Sequence, residues 1–440
     1  MTNPDQPQSK EPGQQVLERL RDLERRPVEA LVLYQARRLE TLLRHARQTV
    51  PFYKDRLDAV FDADGTLDLS RWQDVPVLAR QEAQEHAEHL KATMIPADAG
   101  NALPDRTMGS GGSPFHFIRS LAAVAADAGN TLRIYLDHGF DLNARLCDIR
   151  LDVSGNSSWP EGSTRKAWTH GEGTGDYALL DINTDTDKQV EWLLRCQPRS
   201  LFTWATNARR IALELERTGR SLPLTSIATS AEPCSQAVHD DLRRVFGLDP
   251  VDILGAREIG IVAFPCNHSP LHHFAAESAF LEVITDEGKP AGPGETGRIV
   301  ATGFYNFHMP FIRYDLGDYV TLSDRPCGCG RSLPAISKIH GRARARFSTA
   351  GGRKIFPDVP EAELDAVMKP CAWQIAQTGI GALEIRVDGL DLRQVEAQRP
   401  RLAEILETGL DEPVSFTIVE KSLQPGPGRR KHESFRNEIG

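Results

Sequence analysis

The feature that most constrains this chain is an alternation of short apolar runs with amphipathic segments between residues 146 and 254. Residues 146–153, 177–182, 201–204, a stretch around Ile227 and 250–254 read as strands, while 186–196, 207–218 and 235–246 carry apolar residues at helical spacing. A strand, a helix and a second strand in succession need a crossover connection, so the pattern predicts a parallel or mixed sheet with helices packed on it. Residues 121–138 add one more helix, and 75–78 a short strand followed by a helix to residue 90. After residue 277 the character changes. Three runs, 280–285, 297–302 and 320–322, are separated by Gly and Pro turns and predict an antiparallel meander or small β-barrel-like part.

The two ends of the chain differ from this middle. Residues 1–14 are polar and rich in Pro and Gln, the composition of a disordered tail. Between 16 and 50, Leu17, Leu20, Leu23, Leu31, Leu33, Leu39, Leu42 and Leu43 recur at helical spacing, which predicts a helix pair stopped by Pro51. Beyond a boundary near 341–347 lie a helix at 360–368, a strand at 383–387, a helix at 393–409 and a strand at 414–419. The fold class expected is therefore α/β (α+β). A large domain, 15–343, holds β-sheets flanked by helices, and a small α+β C-terminal domain spans 344–440.

Composition excludes several function classes. The chain is 40% hydrophobic and 26% charged, enough to build a core and remain soluble, and its formal charge of -9 argues against a general nucleic-acid or anionic-membrane binder. No apolar run approaches the roughly 20 residues that span a bilayer. The first residues carry no apolar h-region, and seven cysteines in 440 residues are sparse and odd in number. A cytoplasmic protein without a disulfide framework is expected.

Four local constellations could carry chemistry. The stretch Thr107-Met-Gly-Ser-Gly-Gly-Ser-Pro114 has three glycines and three hydroxyls, a loop able to turn backbone N–H groups around an anion. No Gly-Lys-Ser/Thr follows, so it is not a Walker A loop. Leu254-Gly-Ala-Arg-Glu258 places a glycine, a cation and a carboxylate directly after a strand, which suits a nucleotide–metal site. Arg313-Tyr-Asp-Leu-Gly-Asp318, with Gly341-Arg342 beyond it, puts an Asp after a Gly at a turn, where it can accept two ribose hydroxyls. Pro427-Gly-Arg-Arg-Lys431 is a basic hook that could bring a cation to a phosphate or carboxylate. Each alone also has a plain structural reading: a linker, a strand-end turn with a surface ion pair, a β-turn, a mobile tail.

Together, in this order, they resemble the adenylate-forming superfamily, most closely its phenylacetate–CoA ligase-like branch. Ser230-Ala231-Glu232 resembles the element preceding the core helix, and GGRKIFP at 351–357 resembles the turn of the small domain that enters the active site. The resemblance implies an ATP- and Mg²⁺-dependent ligase. A carboxylic acid, expected to be an aryl acid, attacks ATP to give an acyl-adenylate and pyrophosphate, and CoA then displaces AMP. It implies that Thr107, Gly109, Ser110, Gly111 and Gly112 hold the phosphates, that Glu232 and Gly255 belong to the nucleotide site, that Glu258 holds Mg²⁺, that Asp318 binds the ribose, and that Arg342 serves the ribose or the hinge. The small domain would be mobile, a lid rotating between half-reactions. Trp204, Ala228, Ser230 and Ala256 are the candidates for the acid pocket. A homodimer is the oligomeric state the branch suggests.

The sequence also departs from the superfamily pattern. Met108 and Gly111 stand where hydroxyls are common, and Leu254 replaces a Tyr. Arg257 stands where Ser or Thr is usual, and it either binds phosphate or pairs with Glu258. Arg344 and Ala345 occupy the hinge, and the terminal catalytic lysine is either Lys431 or replaced by Arg429. These departures keep open a non-CoA acceptor (an amine, a carrier-protein thiol or a small nucleophile) and a non-catalytic homologue.

A second site is expected apart from this one. Cys266, His272, Cys327 and Cys329 supply three thiolates and an imidazole, a closed tetrahedral set for structural Zn²⁺, with His268 or His273 as substitutes for His272. Cys147, Cys196, Cys234 and Cys371 read as ordinary core or surface residues.

Overall fold

Two helices open the chain in the computed structural model, which describes residues 12–107, 114–152, 154–168, 174–368, 372–388, 392–423 and 433–439. Helix α1 (Pro12–Leu23) begins inside the span expected to be a tail. It buries Val16, Leu20 and Leu23, one face at helical spacing. Helix α2 (Val28–Thr49) buries Leu31, Leu39, Leu42, Leu43 and Ala46, whereas Leu33 turns outward. Helix α3 (Arg80–Glu85) is short, and α4 (Leu121–Asp137) packs on α1. The approach of α1 to α4 depends on Gly129: a Cβ there would lie 2.4 Å from Val16 Cγ1.

Strands β1 (Ala102–Thr107) and β2 (Phe115–Ser120) form an antiparallel hairpin flanking the Gly/Ser loop. The sequence reads 101–114 as loop throughout, because β1 buries none of its residues and so shows no apolar alternation.

One twelve-stranded sheet follows. Its members are β3 (Leu146–Arg150), β4 (Ser163–Arg165), β5 (Tyr177–Asp181), β6 (Ser200–Trp204), β7 (Ser226–Ser230), β8 (Val251–Ala256), β9 (Gly260–Pro265), β10 (His272–Phe274), β11 (Ala279–Ile284), β12 (Thr296–Gly303), β13 (Tyr314–Leu322) and β14 (Ala335–Arg342). The order is β11-β12-β13-β14-β10-β9-β8-β7-β6-β3-β5-β4. Strands β5, β3, β6, β7 and β8 run parallel, with α5 (Thr186–Cys196), α6 (Ala205–Thr218) and α7 (Gln236–Phe246) as crossovers. The meander expected after residue 277 is present as β11–β14. It is hydrogen-bonded through β10 and β9 into the same sheet, so it extends that sheet instead of closing on itself.

Alternation along the strands divides the core. Leu146 faces a cluster that includes Tyr135, Phe264 and Phe311, while Cys147 and Ile149 face the cluster under α5–α7. A third cluster is built from Phe347, Leu364, Trp373, Ile385 and Leu406, with Phe435 against it. Its frame is β15 (Phe347–Ser348), β16 (Lys354–Ile355), α8 (Glu361–Met368), β17 (Ala372–Gly379), β18 (Ala382–Asp388), α9 (Leu392–Glu396), α10 (Arg399–Leu410), β19 (Ser415–Glu420) and β20 (Phe435–Asn437). The single helix expected at 393–409 is two helices. Pro400, in the first turn of α10, has no N–H to donate to a helix continuing from α9 and suits a helix start instead. Among the described residues no helix is long and apolar enough to cross a membrane. Cys371 lies outside them.

Candidate active site and cysteine cluster

Strands β6, β7 and β8 end side by side, with Trp204 opposite Ser230 and Ser230 opposite Ile253. Their carboxyl ends open into a cleft of about 2710 Å³, the edge at which open α/β sheets bind ligands. Trp204, Ser230, Glu232, Gly255, Ala256, Arg257 and Glu258 line it, as do Thr107, Asp318 and Arg342. Ala228 does not. It sits two residues back in β7, fully buried between Phe202 and Val251 of the adjoining strands, and is a core residue.

Glu258 is 7% exposed. Its Oε1 accepts from Arg80 Nη1 at 3.0 Å and from the Tyr314 hydroxyl at 3.0 Å. Burial, reinforced by the Glu258 charge, holds the Tyr314 hydroxyl above the usual tyrosine range. Arg80 also donates to Thr107 Oγ1, joining the base of the Gly/Ser loop to the Glu258 carboxylate. The backbone just before α3 aims it: Leu78 N–H donates to Arg313 O at 2.8 Å, and Asp315 N–H donates to Leu78 O at 3.0 Å. Sequence reasoning missed Arg80. It lies 178 residues from Glu258 and in no motif, so no local signal marks it.

Arg257 turns away from Glu258. Its Nη1 donates to Asp105 Oδ1 at 2.7 Å and to Arg106 O at 3.2 Å, tying the end of β8 to the hairpin. The pairing with Glu258 that the sequence allowed for Arg257 is made by Arg80 instead, and Arg257 pairs with Asp105 of β1.

Asp318 and Arg342 are cross-strand partners on β13 and β14, with Arg342 Nε 3.2 Å from Asp318 Oδ1. Arg313, in the same motif as Asp318, is a scaffold residue. It is buried, donates to Val75 O at 2.5 Å, and pairs with Glu282 at 3.0 Å. Glu232 accepts from Thr206 N–H at 3.2 Å and from its hydroxyl at 2.6 Å, at the first turn of α6. A Cβ at Gly255 would stand 3.2 Å from Gly260 O, so glycine keeps β8 and β9 close there. Gly109, Ser110, Gly111, Gly112 and Lys431, with Met108 and Arg429, lie outside the described residues.

The cysteine cluster forms elsewhere, where the end of β9 meets β10 and the loop before β14. The ligating atoms of Cys266, His273, Cys327 and Cys329 all lie within 4.8 Å of one another. Cys266 Sγ is 3.6 Å from Cys327 Sγ, and Cys329 Sγ is 3.3 Å from His273 Nε2. The imidazole is His273, not His272. Successive side chains of β10 point to opposite faces, so only one of the pair can reach the thiols. His273 Nδ1 lies 3.3 Å from Leu333 O, an acceptor that leaves Nε2 turned to the sulfurs. His272 Nε2 is buried without a hydrogen-bond partner, and burial pushes that imidazole down to about 4. At Cys327 burial works against ionisation, but hydrogen bonds from Ser269 and the neighbouring cysteines hold the thiol below its ordinary value. Three sulfurs and one imidazole nitrogen at this spacing fit a tetrahedral metal ion.

No family model matches the chain. It is 25% identical over 414 residues to a phenylacetate–coenzyme A ligase of Thermus thermophilus, covering 89% of this chain and 87% of the relative. It is 24% identical over 369 residues to the phenylacetate–coenzyme A ligase of Escherichia coli, covering 79% and 78%. Among solved structures, a 2-hydroxyisobutyryl-CoA ligase in the postadenylation state with 2-HIB-AMP superposes with a TM-score of 0.74 at 18% identity, over 94% of this chain and 91% of that one. In sequence and in fold the chain is similar to enzymes of the adenylate-forming superfamily. An anthranilate CoA ligase in complex with anthranoyl-AMP shares the superfamily fold at a TM-score of 0.53 and 15% identity, over 76% of this chain and 65% of that one.

Proposed function

We propose that the protein activates a carboxylic acid, an aryl acid by preference, with ATP and transfers the acyl group to CoA. The observation that carries this reading is the meeting of Thr107, Arg80 and Glu258 in the cleft at the carboxyl edge of the sheet. Similarity to phenylacetate–CoA ligases over most of both chains supports it.

In the first half-reaction an acid oxygen attacks the α-phosphorus of ATP, the bond to the β-phosphate oxygen breaks, and pyrophosphate leaves. The protein's task is to place the two substrates and offset phosphate charge. Thr107, with Gly109, Ser110, Gly111 and Gly112 after it, would receive the β- and γ-phosphates. Arg80 adds a cation at the base of that loop. Asp318 would accept the ribose hydroxyls, steadied by Arg342. Lys431 is assigned to the α-phosphate. Glu258 is a hard oxygen donor on the cleft wall and suits a Mg²⁺ that arrives with ATP; bound there, the ion would neutralise phosphate charge. In the second half-reaction the CoA thiolate attacks the acyl carbonyl and AMP leaves. Residues 15–343 and 344–440 are read as two domains, supported by the separate core of the second.

Zn²⁺ is assigned to Cys266, His273, Cys327 and Cys329. The set is closed and lies apart from the cleft wall, so the ion would cross-link the strand ends and leave no position for substrate.

Pyrophosphate release from Mg·ATP, measured across a panel of aryl and short acyl acids with and without CoA, tests the reading. Release that depends on one acid, with AMP and acyl-CoA formed only when CoA is added, is expected. Silence across the panel together with no ATP binding by calorimetry would overturn it.

A further inference from the structure

One lobe of the cleft lies between α4 and the sheet, and none of the four acid-pocket candidates read from the sequence describes it. Ala128, Thr131, Leu132 and Tyr135, at helical spacing, are its wall on α4. Facing them, Leu146 and Tyr177 are register partners, as are Asp148 with Leu179 and Asp148 with Phe202, so these residues share one face of the sheet. Tyr135, Trp168, Tyr177 and Phe202 form an aromatic wall along it. Tyr135 is backed by Phe140 at 4.2 Å and meets the edge of Trp168 at 5.8 Å. Such surfaces take flat rings.

The same lobe is also charged. Arg150 Nε lies 3.0 Å from Asp148 Oδ2, and its Nη2 donates to the Tyr177 hydroxyl at 2.9 Å. That hydroxyl donates in turn to Asp148 Oδ2 at 2.6 Å. Asp148 is 3% exposed, and burial raises its carboxyl above the usual range. The Arg150 side chain is 41% exposed, held from behind by Asp148 and Tyr177. Arg165 lies over the Tyr177 ring at 4.0 Å and packs beside this group. Asp152 also lines the cleft and is taken up locally, accepting from the Ser154 N–H at 2.8 Å and the Ser157 N–H at 2.6 Å. A clamped, half-exposed arginine beside an aromatic wall is built to receive an anion attached to a flat group.

We propose that this lobe selects an aromatic acid carrying a second anionic substituent, and that Arg150, positioned by Asp148 and Tyr177, is the residue that recognises it. This rests on the acid-activation reading above, with the acid's first carboxyl left for the phosphate side.

The test compares 4-carboxyphenylacetate with phenylacetate, read by quenching of tryptophan fluorescence without ATP and then by acid-dependent pyrophosphate release. Wild type is expected to bind the dicarboxylate at least about tenfold more tightly. Arg150→Met should erase that preference while still binding phenylacetate, and Arg150→Lys should restore part of it. The wild-type comparison needs no variant, so misfolding of Arg150→Met would not rescue the idea. Equal binding of the two acids by wild type, binding of neither, or loss of both together in Arg150→Met overturns it; the last result would assign Arg150 to the reactive carboxyl. Selective binding without pyrophosphate release would instead remove acid activation and leave the lobe standing. Release with phenylacetate but no discrimination would do the reverse.

Discussion

Arg80 Nη1 lies 3.0 Å from Glu258 Oε1, and the same guanidinium reaches Thr107 at the base of the Gly/Ser loop. A cation on a six-residue helix thereby links two motifs that the sequence separates widely. Arg80→Met is expected to raise KM for Mg·ATP by about tenfold or more and leave KM for the acid within about twofold, since the lost contact serves the phosphate side. Steady-state kinetics with each substrate varied in turn checks this, and Arg80→Lys should recover part of the loss. Equal effects on both substrates would show that Arg80 acts only by holding the fold.

Glu258→Gln keeps an acceptor oxygen for Arg80 and Tyr314, so thermal stability should move little. It removes the charge a divalent cation needs. Pyrophosphate release at saturating acid should fall by about 100-fold or more, with a weaker dependence on Mg²⁺ concentration. Unchanged release would refute the metal-holding role.

The cysteine cluster separates two neighbouring histidines. His273→Ala and Cys327→Ser should each lower bound zinc and cost at least ~2 kcal/mol of stability, whereas His272→Ala should retain the metal. Metal content by atomic emission and melting curves with and without chelator decide between them. Equal zinc in all three variants would remove the assignment.

Asp252 provides a pH prediction. Burial pushes its carboxyl up to about 7, against lowering hydrogen bonds from Thr229 and the Cys234 backbone. The folded protein therefore holds a proton that the unfolded chain releases near 4. Stability from this group is greatest in acid, falls as pH rises from about 4 to about 7, and does not return above that. Asp252→Asn should flatten this slope and raise the melting temperature at pH 8 relative to wild type. A parallel pair of stability–pH curves would rule it out.

Much of the fold is legible in the local sequence because its helices and parallel strands are amphipathic or apolar over their own length. Residues 186–196 read as a helix and fold as α5 over the same residues. Strands without that signal escape: β1 is exposed or half-buried throughout, and β10 is three residues long. The candidate site divides in the same way. Glu258, Asp318 and Arg342 are marked by nearby glycines and do line the cleft, although Asp318, expected at a turn, lies within β13; Ala228 is on the same face of β7 as Ser230 but two residues further from the strand's carboxyl end, and is buried in the core.

The sequence by itself determined the succession of the main helices and parallel strands, the motif residues that line the cleft and the cysteines of the cluster. All of these rest on spacing along the chain, where hydrophobic period and turn chemistry act. Only the tertiary structure decided which side chains meet: Arg80 with Glu258, Arg257 with Asp105, and His273 rather than His272 with the thiols. Those choices depend on strand register and on contacts across many tens of residues. A shift of one position in a strand turns every side chain to the opposite face, and no local pattern in the chain records the outcome.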